Sequence, residues 1–108
     1  ERRARARNAR LAGRLTAKGV ITVDSGAAQA LAGGRSLLAA GAIGVTGRFA
    51  RGDVVTIEGP EGAVARGLAE YDAADVTRLL GRRSDEQEAI LGYAPRAALV
   101  HRNHMALL

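Results

Sequence analysis

The 108-residue chain has no cysteine and no tryptophan, one phenylalanine, two tyrosines, two prolines and a single lysine. Without cysteine there is no disulfide framework, no thiolate metal site and no cysteine nucleophile. No run approaches the ~20 apolar residues that span a bilayer. No apolar stretch follows the charges of residues 1–18, so nothing reads as a signal peptide. The chain is therefore expected to be soluble and cytoplasmic, with no membrane partner. Few aromatics also means few stacking platforms for bases, since only Phe49, Tyr71 and Tyr93 are present. Hydrophobic residues make up 47% of the chain, but 23 of them are alanine. The core must be small and single, and Phe49, as the largest apolar side chain, is expected inside it. The length fits one domain.

Basic charge is present in excess, at a net +5, and it is unevenly placed. Residues 1–18 carry seven basic groups against Glu1, and the remaining ninety carry nine arginines against ten acids. The body is thus close to neutral, and the basicity sits in a leading Arg/Ala arm over residues 1–12. Such an arm is read two ways, as a solvated interdomain linker or as a phosphate-binding segment acting through counterion release. Both helix and extended chain suit its composition.

The rest of the chain is well punctuated. Val20-Ile21-Thr22-Val23 is a β-branched run and predicts a buried strand. Asp24-Ser25 offers an N-cap to a helix over Gly26–Leu31, and Gly33-Gly34 ends it. Strands are expected over Gly41–Val45 and Val54–Glu58, with a turn-rich connection between them. Gly59-Pro60-Glu61-Gly62 predicts a hairpin into a return strand over Ala63–Tyr71. Asp72 caps a helix over Ala73–Leu80. Ser84 and Gln87 fit a capping box for a second helix ending at Gly92. Leu99–His101 reads as a closing strand, with Met105–Leu108 as an apolar end. Short strands with two or three short helices predict an α+β domain, mainly β and barrel-like.

Reactive constellations are sparse. Neither phosphate-loop motif of the G-x-x-x-x-G-K-[ST] or G-x-G-x-x-G type occurs. Gly33-Gly34-Arg35-Ser36 is read either as an anion-binding nest of amides or as a helix stop. His101 and His104 fall on opposite faces if their strand continues, so no metal site is expected. Ser25, Ser36 and Ser84 are read as caps or turns, and Asp24 and Asp53 as element ends. No acid, base and oxyanion site assemble, so this chain is not expected to be an enzyme by itself.

The order of motifs, however, is specific. Val23-Asp24-Ser25-Gly26-Ala27-Ala28-Gln29-Ala30-Leu31 is followed by Ser36-Leu37-Leu38-Ala39-Ala40-Gly41-Ala42-Ile43 and Val45-Thr46-Gly47-Arg48-Phe49-Ala50-Arg51-Gly52-Asp53. Val64–Tyr71, Gly81–Gln87, Leu91-Gly92-Tyr93 and Leu99-Val100-His101-Arg102 complete the series. Over residues 7 to 105 the chain resembles a PUA domain, and more narrowly the C-terminal PUA domain of bacterial glutamate 5-kinases. It departs from that pattern at Ala39 (usually Pro), Asn103 (usually Asp) and Arg10 (often Trp).

The resemblance implies a PUA-like pseudo-barrel of mixed strands over residues 13–108. It also implies a non-catalytic, regulatory or assembly role beside an upstream ATP-dependent amino-acid kinase domain at the start of proline synthesis. In that family the kinase domain holds the ATP, magnesium and glutamate sites, so no cofactor is expected in this chain, and the parent is expected to be a homo-oligomer. PUA domains generally place RNA against the first helix and the loop after it. By position this implies Gly33, Gly34, Arg35, Ser36, Leu37 and Leu38, facing Arg66 and Arg102; the competing reading makes Gly33-Gly34 a helix stop, Leu37-Leu38 core and the arginines solvated. Two alternatives stand beside the kinase module: an RNA-binding PUA module of an RNA-modification enzyme, and an interaction domain that dimerises through an exposed strand.

Overall fold

The computed structural model describes residues 17–93, 95–96 and 98–108. The arm at 1–12, Arg10 and the start of the expected domain at 13–16 lie outside the described residues. In chain order the elements are β1 (Gly19–Val23), α1 (Ser25–Ala32), a single 3-10 turn (Ala39–Gly41) and β2 (Ala42–Gly47). β3 (Val54–Gly59), β4 (Gly62–Ala69), α2 (Ala73–Leu79), α3 (Ser84–Leu91) and β5 (Val100–Leu107) follow.

The strands form one mixed sheet in the order β2-β1-β3-β4-β5. Only β1 and β3 run parallel; the other three pairings are antiparallel. The parallel pair is possible because α1 and β2 lie between β1 and β3 in the chain and supply the long return such pairing needs. β3 and β4 are instead joined by the expected hairpin, with Gly62 at φ +121°. Among the described residues the fold is mainly β with three short helices, as the sequence implies.

Local chemistry accounts for most boundaries. The Asp24 carboxylate accepts from the Ala27 amide at 2.7 Å and starts α1, and Asp72 accepts from Asp75 at 2.8 Å and starts α2. The α3 start differs from expectation. The helix already includes Ser84, and the carboxylate reaching back is that of Glu86, which accepts from the Arg83 amide at 3.2 Å. Gln87 does not reach back; it is buried, and its side-chain amide donates to the Arg82 carbonyl at 3.3 Å. Gly41 sits in the 3-10 turn instead of opening β2.

One face of the sheet carries Ile21, Val23, Val55, Ile57 and Ala65, which pack against Leu31, Leu37, Val76, Leu79, Leu99 and Val100. Phe49 joins this core at 6% exposure, as expected. Register places Thr46, Val20, Thr56, Arg66 and Ala106 side by side across all five strands on the opposite face.

β5 is the irregular strand. Gly67 pairs with Met105 and Ala69 pairs with Val100, so residues 101–104 stand opposite Leu68 alone. A β-carbon on Gly67 would meet Val100 Cγ1 at 2.5 Å and the His104 carbonyl at 2.8 Å. Only glycine lets the bulge close down on β4 here. The bulge also changes where the histidines lie. Their rings are 6.0 Å apart, not on opposite faces, because the extra residues break the period of two.

Candidate nucleic-acid interface

The segment after α1 contains the predicted site, and the amides of its first three residues are committed. The Gly34 amide donates to the Leu31 carbonyl at 2.9 Å, and the Arg35 amide donates to Ala30 at 3.0 Å. Gly33 donates to Gln29 and Ala30, both at 3.1 Å. This is a Schellman closure with Gly34 in the left-handed position at φ +87°. Gly33, at φ −82°, needs no such freedom. The amides of Gly33, Gly34 and Arg35 therefore cap the helix. They leave no nest for an anion, and the helix-stop reading is the correct one.

Beyond the closure, the chain is stitched to the start of β5. The Leu37 amide donates to the Val100 carbonyl at 2.9 Å, and Leu99 donates back to Leu37 at 2.8 Å. The Ser36 hydroxyl accepts from the Arg102 amide at 2.8 Å. Ser36 and Arg102, 66 positions apart in sequence, are thus brought together as predicted. Gly33, Gly34, Arg35, Leu38 and Arg102 are exposed around this seam.

Two predicted contacts are corrected. Leu37 is 1% exposed and belongs to the core, since the bridge to Val100 turns its side chain inward. Arg66 lies in the cross-strand row on the outer sheet face, between Thr56 and Ala106. Among the described residues no hydrogen bond or ion pair joins it to the α1 loop, and its Nε is buried without a partner.

Sequence reading missed two features beside the seam. Within the β5 bulge, His104 Nδ1 lies 3.6 Å from the Glu70 carboxylate, and His101 Nδ1 accepts from the Asn103 amide at 3.1 Å. Register irregularity is set by non-local pairing, so no local signal marked this cluster. The second feature is a cavity of about 230 Å³ between the 3-10 turn and the α2–α3 joint. Leu38, Ala39, Ala40 and Leu99 form its apolar walls, with Arg82, Arg83 and Gln87 as its polar groups.

The sequence model of the PUA domain family matches residues 19–91. The chain belongs to that family. Among curated proteins, this PUA domain is 62% identical over its whole length to a glutamate 5-kinase of Sphingopyxis alaskensis, and 57% identical over 98% of its length to one from Novosphingobium aromaticivorans. It spans only 30% and 28% of those two relatives, respectively. Among solved structures it is similar to a PUA domain of Aeropyrum pernix K1 crystallised as a tartrate complex, at TM-score 0.60 and 38% identity. That likeness covers 81% of this chain and 42% of the other.

Proposed function

We propose that this PUA domain is the non-catalytic module of an ATP-dependent glutamate 5-kinase and modulates the domain that phosphorylates glutamate at the start of proline synthesis. The carrying observation is 62% identity along the entire chain to a protein more than three times as long. On this reading ATP and magnesium bind the kinase part, not this chain, and the parent protein is a soluble, cytoplasmic homo-oligomer. The reading frame ahead of residue 1 is expected to encode a domain of roughly 250 residues with an ATP-phosphate loop. In that full-length kinase, deleting the PUA domain should leave glutamate phosphorylation in place and change its kcat or its KM values. Unchanged kinetics on every count would refute modulation.

A second reading, RNA binding, is supported by the seam that sets Arg35 and Arg102 on either side of Ser36. The surface would comprise Gly33, Gly34, Arg35, Ser36, Leu38 and Arg102, with phosphates held by guanidinium groups. Spent loop amides and a near-neutral body limit its strength. Hairpin RNA should bind the 108-residue chain with a steep salt slope, and Arg35→Ala with Arg102→Ala should flatten it. Retained binding in that variant, with loss on deleting residues 1–12, would assign the affinity to the arm and sink this site.

A further inference from the structure

We infer that the cavity between the 3-10 turn and the α2–α3 joint is a binding site for a small carboxylate carrying a compact apolar body. At about 230 Å³ it falls below the ~300–1,000 Å³ of pockets for drug-sized molecules, which suits a small ligand. Its walls are held in place before any ligand arrives. The Gly81 amide donates to the Ala39 carbonyl at 3.0 Å, and Arg82 donates to Leu79 at 2.9 Å. Gln87, 7% exposed, ties its side-chain amide to the Arg82 carbonyl from below.

The lining has two guanidinium groups and no acid. Arg82 meets Glu86 at 3.7 Å, and Arg83 meets Asp85 at 3.7 Å and Glu86 at 4.0 Å. These pairs are solvent-exposed and longer than the ~2.7–2.9 Å of a charge-assisted hydrogen bond. Both guanidinium groups can therefore turn to a carboxylate without breaking a tight bond. The apolar walls then favour a ligand with a short hydrocarbon body over a bare ion. Leu38 is the only residue this site shares with the RNA surface, and the inference is independent of that reading.

Amide NMR of the 108-residue chain, titrated with cyclopentanecarboxylate, tests it. Saturable shifts are expected at Leu38, Ala40, Arg82 and Leu99, with about millimolar affinity. Cyclopentanecarboxamide and inorganic phosphate should bind at least about tenfold more weakly. An Arg82→Gln, Arg83→Gln variant, changed only at exposed side chains, should melt like the parent and lose at least about tenfold in affinity. Shifts that scatter over the surface or fail to saturate would overturn the site. So would carboxamide or phosphate binding as well as the carboxylate, or full affinity in the double variant.

Discussion

Phe49 tests the core most directly. Its ring is 6% exposed and lies over Gly19, where an added β-carbon would fall 2.7 Å from Phe49 Cδ2. The backbone at Phe49 separately ties the β2–β3 connection to α2, because its carbonyl accepts from the Ala73 amide at 3.0 Å. Phe49→Ala removes the ring and leaves a hole in the core cluster. The expected loss is about 3–5 kcal/mol, against a total of about 5–15 kcal/mol for a domain. At ~4–8 °C per kcal/mol for this size, the midpoint should fall by at least about 12 °C. Urea unfolding followed by circular dichroism should show a lower midpoint at unchanged slope. Phe49→Leu retains part of the volume and should lose less than half as much, which gives a readable variant if Ala does not fold. Gly19→Ala provides a cross-check, since its β-carbon would also meet the Thr46 carbonyl at 2.5 Å. Its cost should therefore fall only in part in a Phe49→Leu background. A Phe49→Ala protein that melts with its parent would refute the assignment of this core.

At the end of α1, Gly34→Ala should cost about 1–2 kcal/mol through its left-handed backbone. Gly33→Ala should stay within about 0.5 kcal/mol, and equal losses in thermal melts would show the closure is misplaced. Asp24→Ala should cost about 1 kcal/mol by removing the cap on Ala27; an unchanged midpoint would mean that the 2.7 Å contact stabilises nothing. Tyr93 donates to Asp75 at 2.6 Å, and this hydrogen bond, helped by burial and the same carboxylate's charge, pushes its phenol up to about 12 from 10.0. A raised folded value means the contact stabilises fully below the unfolded value and is lost as pH climbs from 10 towards 12. Asp75→Asn should bring the Tyr93 ring titration, followed by NMR, back towards its ordinary value, and no change would refute the assignment.

The elements readable from sequence are those whose determinants are local. β1 and β3 are β-branched runs, α1 and α2 begin at Asp residues with a free amide three positions on, and Gly59–Gly62 can only turn. Ambiguity arose where two neighbours compete for one role. Ser84 and Gln87 fit a capping box by residue type, but it is Glu86 that reaches back, to the Arg83 amide, while Gln87 is buried against the Arg82 carbonyl. Composition also could not say whether Gly33-Gly34 holds an anion or ends a helix; the hydrogen bonds of Gly34 and Arg35 to Leu31 and Ala30 do. The resemblance set Ser36 and Arg102 on facing walls, and the hydrogen bond between them brings those two positions together. Leu37 turns inward through its bridge to Val100, and Arg66 takes its facing from its register with Thr56 and Ala106; both are non-local pairings.

That bulge explains why the seam exists at all. Residues 101–104 make no ladder pairing with β4, and the Arg102 amide within them donates to Ser36. With four residues opposite one, the Arg102 amide turns to the α1 loop, and Leu37 pairs with Val100 as an extra edge. The same departure brings His104 to Glu70 and sets Leu99 into the cavity wall. It depends on Gly67, whose missing side chain leaves the space occupied by the His104 carbonyl and Val100. One small residue in β4 therefore leaves the room in which the bulge beside the α1 loop closes.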